Sequence, residues 1–139
     1  MMTHKAKYAI KALVCLAEDG GLVRTSDISD RARVPRKFLE AILLELKRHR
    51  MVESVRGAGG GYRLAMPAGR INLADIHRLF EGPIALLRCA SLMHYRSCED
   101  CADVEACRLR LAMVGVREQT LRALQEVTLE QVMSGKKPR

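Results

Sequence analysis

The sequence predicts a mainly α-helical fold with one small β-hairpin. Apolar residues recur at helical spacing in residues 5–18 and again in residues 35–48. Two short runs that alternate like strands flank a glycine-rich stretch, residues 57–61. A longer amphipathic run follows in residues 103–124. Together these observations predict a winged helix-turn-helix followed by a long helix.

Length and charge set the first bounds on function. The chain has 139 residues, the size of one domain, and a formal net charge of +8. Residues 1–71 hold 14 basic and 7 acidic side chains, whereas residues 72–139 hold 10 and 9. A basic half joined to a nearly neutral half favours a module that binds a polyanion. The sequence has no apolar run long enough to span a membrane and no secretory leader, so we expect a cytoplasmic protein without membrane contact.

The first predicted helix covers residues 5–18 and ends at Gly20-Gly21. Four of its residues lie on one helical face: Tyr8, Ala12, Leu13 and Leu16. Cys15 falls in the same apolar run. We therefore expect its thiol to be a small buried side chain without a chemical role.

Two short helices joined by a tight turn are predicted next. Thr25 is expected to cap a helix over 26–32, and Pro35 to occupy the first position of the following helix. The turn between them is Arg33-Val34. The buried stripe of the second helix is predicted to consist of Phe38, Leu39, Ile42, Leu43 and Leu46. This arrangement is typical of a helix-turn-helix.

The glycine-rich stretch is predicted to be the tip of a hairpin. Residues 52–55 alternate like a strand, and residues 62–64 can pair back with them. A nucleotide-binding glycine loop lacks its required context, since no Lys-Ser/Thr follows and the next element is predicted to be a strand. A glycine tip lets the backbone approach a DNA groove closely, while Arg56 and Arg63 supply positive charge.

Three more helices follow the hairpin. Asn72 is expected to cap one of them with Asp75, and Thr128 to cap the last in a capping box with Gln131. Asp103 is expected to cap the long helix between them. The apolar stripe of that helix is predicted to be Leu109, Ala112, Met113, Val116, Thr120, Leu121 and Leu124.

The long stripe needs a partner surface. It could pack on its own domain, but helix-turn-helix proteins usually bind two half-sites, so we expect a homodimer seam. The predicted organisation is therefore a winged helix-turn-helix in residues 1–81, a cysteine-rich cofactor loop in 82–107, and a dimerisation helix with a short last helix in 108–139.

Four of the five cysteines lie within 19 residues: Cys89, Cys98, Cys101 and Cys107. Without export, such a cluster favours metal or redox chemistry over disulfides. Thiolates suit both iron–sulfur clusters and zinc, and a thiol sensor or a vestigial site stays open. A dithiol enzyme is disfavoured because acidic neighbours would raise the thiol pKa. His94 lies in the same segment and is a weaker candidate ligand. No histidine spacing indicates a catalytic triad, so no enzyme is expected.

Three stretches of the sequence resemble one bacterial family. Lys7-Tyr8-Ala9, Phe38-Leu39-Glu40 and above all Ser54-Val55-Arg56-Gly57-Ala58-Gly59-Gly60-Gly61-Tyr62 are similar to the winged-helix transcriptional regulators typified by the iron–sulfur cluster regulator IscR and the nitric-oxide-sensing repressor NsrR. The resemblance covers nearly the whole chain. It implies a homodimeric repressor that binds an imperfectly palindromic double-stranded DNA operator.

The resemblance also implies roles for single residues. Lys37, Glu40 and Ala41 would face the major groove, and Arg56 would enter the minor groove. Ala41 stands where the cluster regulator has glutamine, so the operator sequence does not carry over. The complete expected DNA-contacting set is Arg36, Lys37, Glu40, Ala41, Arg56, Gly59, Gly60 and Arg63.

The family pattern assigns three of the clustered cysteines as cluster ligands. Cys101 and Cys107 match its fixed pair and Cys89 its first member, whereas Cys98 is extra. The family's histidine ligand is Arg110 here, and an aspartate ligand of some members is Lys7. Cys98 could complete a four-thiolate site, and another group or a partner subunit could do so instead. We expect a 2Fe–2S or 4Fe–4S cluster that senses iron, redox state or nitric oxide. The alternative is a constitutive, thiol-dependent or zinc-dependent DNA-binding protein.

Overall fold

The computed structural model describes residues 2–138, which form six α-helices and one two-stranded antiparallel hairpin. The elements are α1 (His4–Asp19), α2 (Thr25–Ala32), α3 (Arg36–Arg48), β1 (Val52–Val55), β2 (Gly61–Leu64), α4 (Leu73–Glu81), α5 (Arg108–Glu126) and α6 (Leu129–Ser134). Single turns of 3-10 helix occur at Ala68–Arg70 and Arg88–Ala90. The predicted fold class, mainly α with a hairpin wing, is confirmed. None of the helices in the described range is long and apolar enough to cross a membrane.

Helix α1 is the centre of the core, since α2, α3, α4, α6 and β2 all pack against it. Small side chains on its buried face allow this close approach; the face consists of Ala6, Ala9, Ala12, Leu13, Cys15 and Leu16. Cys15 is 6% exposed, so the prediction of a buried thiol is confirmed. Burial raises the pKa of this thiol, which keeps it protonated.

Both helices of the helix-turn-helix start one residue away from the predicted position, α2 one residue earlier and α3 one residue later. Thr25 is the first residue of α2, not its cap; the cap position belongs to Arg24. Pro35 occupies the cap position of α3, with an extended ψ of 129°, so the helix itself starts at Arg36. Between the helices, Arg33 adopts the left-handed region with φ 52°, which turns the chain sharply.

The buried stripe of α3 is narrower than predicted. Four of its five expected members are fully buried: Leu39, Ile42, Leu43 and Leu46. Phe38 is the exception, at 47% exposure. It lies at the edge of the stripe, where its ring leans on Tyr8 of α1 at a centroid distance of 6.2 Å. Lys37 Nζ lies 4.8 Å from the Phe38 ring centroid, a cation–π contact on the outer side.

The hairpin pairs Val52 with Leu64 and Val55 with Gly61, so β2 starts one residue earlier than predicted. Val23 extends this small sheet through two 2.8 Å hydrogen bonds with the backbone of Tyr62. The sheet is therefore joined to the segment that leads into α2. A Cβ on Gly61 would lie 2.4 Å from the Val23 carbonyl oxygen, so glycine is required for this contact.

Two of the three predicted caps in the second half are confirmed. Asn72 Oδ1 accepts a 3.0 Å hydrogen bond from the Asp75 N–H, and Thr128 forms the expected capping box with Gln131.

The predicted cap of α5 at Asp103 is wrong. Asp103 Oδ1 instead accepts N–H groups of Glu105 and Ala106 at 2.9 and 3.3 Å, which closes a local turn. The cap of α5 is Cys107, whose Sγ accepts the Arg110 N–H at 3.4 Å.

Helix α6 returns to the N-terminal half of the chain. The Leu129 N–H donates to the Ile71 carbonyl at 2.7 Å, and the Leu73 N–H donates to the Val127 carbonyl at 2.9 Å. Leu129 itself is fully buried in the main core. The short last helix is thus packed on α1, the centre of the predicted 1–81 domain.

Among the α-helices of residues 2–138, α5 alone has no buried side chain. Over its described length it carries no fully buried side chain, and it packs on α4 and on the turn Arg88–Ala90. The predicted stripe divides between two faces. Its half-buried members are Met113, Leu121 and Leu124, and its exposed members are Leu109, Ala112, Val116 and Thr120.

Candidate functional site

The first two turns of α3 present an exposed polar surface. All four residues predicted there to contact DNA are exposed: Arg36, Lys37, Glu40 and Ala41. Arg36 Nε lies 3.5 Å from Glu40 Oε1, one helical turn away. Both side chains are about two-thirds exposed (66% and 64%), so this pair is weak and can exchange for a ligand. The surface combines two cations with one carboxylate that can accept hydrogen bonds.

The hairpin presents its two arginines differently. Arg56 follows β1 at the tip, is exposed, and takes part in none of the ion pairs of residues 2–138. Arg63 lies directly opposite Glu53 in the strand register, and its Nε makes an ion pair with that carboxylate. The free cation of the hairpin is therefore Arg56, whereas the charge of Arg63 is partly neutralised.

The glycines of the tip have different surroundings. A Cβ on Gly60 would lie 2.1 Å from the Val55 carbonyl oxygen, so only glycine permits this tight return of the chain. A Cβ on Gly59 meets nothing within 4 Å among the described residues. Gly59 thus keeps the tip thin without being required by the fold.

Two side chains that sequence reasoning missed hold the hairpin in place. Arg24 Nη2 donates to the Ala58 carbonyl at 2.8 Å, which ties the tip to the start of α2. Lys47 Nζ donates to Ser54 Oγ at 2.6 Å, which ties the end of α3 to β1. Their basic character was visible in the sequence, but their partners are 34 and 7 residues away. These bonds fix the position of the hairpin relative to the start of α2 and the end of α3.

The four clustered thiols lie in the segment between α4 and the first turn of α5. Cys89 is 5% exposed within the turn Arg88–Ala90, and Cys98 is exposed. Their Sγ atoms are 3.8 Å apart. Cys101 and Cys107 are half-buried.

Neighbouring thiols and burial raise the pKa of two of the cysteines. The hydrogen bond and charge of Cys89 raise the pKa of Cys98, with smaller contributions from desolvation, Asp100 and Cys101. Burial, and next the charge of Cys107, raise the pKa of Cys101. The direct sulfur–sulfur contact in the described residues is that of Cys89 with Cys98.

The donor set fits a soft metal centre in kind and in number. Four thiols match the preference of iron–sulfur clusters and zinc for sulfur ligands. In this arrangement, residues 2–138 contain no group of three or more His, Cys, Asp or Glu side chains placed to hold a metal ion. The four sulfur atoms would have to converge to bind one centre.

Two arginines of α5 donate hydrogen bonds to the backbone at and next to Cys89. Arg110 Nε donates to the Cys89 carbonyl at 3.0 Å, and Arg117 Nη1 donates to the Ala90 carbonyl at 2.5 Å. The Arg117 side chain is only 10% exposed. Arg117 was not predicted, although its spacing of seven residues from Arg110 places both on one face of the helix. These two hydrogen bonds connect the segment that contains the thiols to α5.

Three other positions were considered as metal ligands, Lys7, His94 and Arg110, and each has a different environment. Lys7 is exposed, with its Nζ 5.8 Å from the Tyr8 ring centroid. His94 is exposed, and its N–H donates to Ser91 Oγ at 3.1 Å. Arg110, at the position of the family's histidine, acts through its hydrogen bond to Cys89.

The chain is similar to known transcriptional regulators in sequence and in structure. A family model described as Rrf2, iron-dependent transcriptional regulator, matches residues 2–135. A protein of Rhodobacter capsulatus, named as an rrf2-like HTH-type transcriptional regulator, is 36% identical over 143 residues, covering 99% of this chain and 95% of that protein. CymR, named the global cysteine regulator of B. subtilis, matches with a TM-score of 0.77 at 25% identity and covers 99% of this chain and 98% of its own. IscR of T. potens matches with a TM-score of 0.72 at 25% identity, over 97% of this chain and 87% of its own.

Proposed function

The chain belongs to the Rrf2 family of helix-turn-helix transcriptional regulators, and from this premise we propose that it is a homodimeric repressor switched at its four-thiol segment. The observation that carries the switch is the attachment of α5 to the backbone around the buried Cys89: Arg110 and Arg117 donate hydrogen bonds to the carbonyls of Cys89 and Ala90. A change at the sulfur is thereby transmitted to the longest helix.

The DNA contact is proposed for the basic surface of α3 and the hairpin. Lys37, Glu40 and Ala41 stand on the exposed start of α3, where a recognition helix reaches base edges. Arg56 is free to enter a narrow minor groove, whose negative potential attracts arginine. Four further residues are proposed to contact DNA beside these: Arg36, Gly59, Gly60 and Arg63. Because the partner is chromosomal DNA, we propose that the protein works in the cytoplasm.

The dimer seam is proposed for the outer face of α5. Several large apolar side chains of this helix and of the thiol segment are exposed: Leu86, Leu92, Met93, Tyr95, Leu109, Leu111 and Val116. Leu109 and Val116 are seven residues apart and lie on one side of α5, and exposed apolar side chains along one side of a long helix mark a contact site. A second copy crossing α5 would cover it and place two α3 helices on an imperfect palindrome.

The cofactor is proposed to be an iron–sulfur cluster held by Cys89, Cys98, Cys101 and Cys107. The family description as iron-dependent and the similarity to IscR support this choice. When bound, such a cluster supplies a redox-labile centre. Residues of the chain would carry a change at the cluster to α5. Cys107 caps this helix by accepting the Arg110 N–H, and the Arg110 side chain donates to the Cys89 carbonyl. A shift of α5 would alter the spacing of the two DNA-reading surfaces and thus their affinity for the operator.

A second candidate is regulation through the thiols without a cluster, with zinc or with no metal. It is favoured by the similarity to CymR, a cysteine regulator by name, and by the sulfur contact between Cys89 and Cys98. The two candidates share the DNA surface and the dimer.

Anaerobic purification separates the candidates. We expect visible absorption together with iron and acid-labile sulfide in the purified protein, and operator affinity that changes when they are removed. Zinc alone, or neither metal, would refute the cluster and favour the second candidate. Unchanged operator affinity on metal removal would refute the switch for either metal.

A further inference from the structure

We propose that Cys89 and Cys98 are a redox-active dithiol, which closes to an intramolecular disulfide when the segment carries no metal. Their sulfur atoms already contact each other at 3.8 Å. A disulfide requires about 2.05 Å, so closure needs an approach of about 2 Å.

The two partners differ in freedom, which suits such a closure. Cys89 is buried and its carbonyl is held by Arg110, so its sulfur stays in place. Cys98 is exposed and lies on a loop, residues 91–100, that contains no helix or strand in the described structure. The Cys98 side can therefore move toward Cys89 while the core stays intact, and its exposure makes it the sulfur that an oxidant reaches first.

The other two thiols have competing attachments. The Cys101 thiol donates to the Asp103 carbonyl at 3.5 Å. Cys107 Sγ accepts the Arg110 N–H and caps α5, so its oxidation would disturb the start of that helix. Cys89 and Cys98 have their sulfur contact with each other instead. The contacts thus select this pair from the four cysteines.

The chemistry balances with a peroxide as the two-electron oxidant. The Cys98 thiol loses its proton as its sulfur attacks one peroxide oxygen, the O–O bond breaks, and the leaving hydroxide takes up that proton to form water. The sulfur, now a sulfenic acid, is attacked by Cys89 Sγ. The S–S bond forms, the S–O bond breaks, and the second hydroxide leaves as water with the Cys89 proton. In total two thiols and hydrogen peroxide give one disulfide and two waters.

This inference rests on the proposed function in one respect. If Cys89 and Cys98 are also cluster ligands, the same sulfurs cannot serve both states, so the disulfide would block cluster loading. Loss of a cluster under oxidation would then leave a form that needs reduction before it can be loaded again.

The sequence around the cysteines allows a direct test on the full-length protein. The apoprotein is treated with mild hydrogen peroxide, blocked with N-ethylmaleimide and digested with trypsin and a glutamate-specific protease. Cleavage after Arg88, Arg96, Glu99, Glu105 and Arg108 puts each clustered cysteine on its own fragment. We expect fragment 89–96 joined to fragment 97–99, and the protein to run as a single chain on a non-reducing gel.

Matched variants define the outcome. Cys101→Ser and Cys107→Ser should keep the 89–96 to 97–99 link, whereas Cys98→Ser should lose it. A link confined to residues 97–108, or one that joins two chains, would overturn the proposal. So would a Cys89–Cys98 link that forms no faster than links in protein unfolded by urea.

A second measurement separates this inference from the proposed function. The oxidised protein is offered iron and sulfide anaerobically, before and after reduction. Disulfide formation without any cluster loading in the reduced protein would uphold the dithiol and refute the cluster. Cluster loading without the disulfide would uphold the cluster and refute the dithiol.

Discussion

Gly59 and Gly60 are adjacent residues at the hairpin tip, and we expect the same substitution to have different effects at the two positions. A Cβ at Gly60 would lie 2.1 Å from a backbone oxygen of Val55, which cannot move aside without deforming β1. We expect Gly60→Ala to lower the free energy of unfolding by roughly 1–3 kcal/mol and to weaken operator binding. Gly59→Ala, built into open space, should leave stability unchanged. Urea unfolding measures both. Equal effects of the two substitutions on stability would contradict the steric explanation.

Arg56 and Arg63 provide a second comparison of single residues. Arg56→Ala should weaken DNA binding and reduce the salt slope by about 1, since one phosphate-attracting cation is removed. Arg63→Ala should weaken binding less, because Glu53 already neutralises part of its charge. Fluorescence anisotropy with a labelled operator over a salt series tests this. A larger loss for Arg63→Ala would show that the two roles are reversed.

At the scale of elements, the joint between α5 and the thiol segment predicts a change in Cys89 reactivity. Arg117→Met keeps the length of the side chain but removes the hydrogen bond to Ala90. We expect it to cost roughly 1–3 kcal/mol of stability, because a buried carbonyl loses its partner. Local opening should also speed alkylation of Cys89 in the native apoprotein. Arg122→Met, an exposed site on the same helix, is the control and should change neither value.

The outer face of α5 predicts the oligomeric state. Val116→Glu places a charge in the middle of the exposed apolar stripe and should convert a dimer to a monomer, since an unpaired carboxylate cannot be buried in the seam. Gln125→Glu adds the same charge about 180° around the helix and should leave the dimer intact. Light scattering gives the mass, and far-UV circular dichroism checks the fold. A dimer that survives Val116→Glu would place the seam elsewhere.

At the scale of the whole molecule, the uneven charge predicts strongly salt-dependent DNA binding. The first 71 residues carry a net charge of +7, and residues 31–56 alone hold eight basic and three acidic side chains. Each neutralised phosphate releases a counterion, so operator affinity should fall steeply between low and physiological salt. A dimer should also protect two half-sites about one helical turn apart, or a multiple of it. Salt-independent binding, or a footprint with one half-site, would contradict this arrangement.

Much of the local structure was predictable, because it depends on neighbouring residues. The helical periods, the Asn72 and Thr128 caps and the glycine tip all act over a few positions. Errors occurred where several local signals competed. Aspartate is a common helix cap, but Asp103 closes a local turn instead. The cap of α5 is the sulfur of Cys107.

The sequence by itself determined the fold class, the family resemblance and the presence of four clustered thiols, since period, motif and composition are properties of the chain. The tertiary structure decided which atoms meet. It brought Cys98 to Cys89, placed Arg117 on Ala90 and returned Leu129 to the core. It also left Phe38 exposed beside Tyr8. These contacts join residues distant in sequence, and their geometry depends on how whole helices pack, which local spacing does not encode.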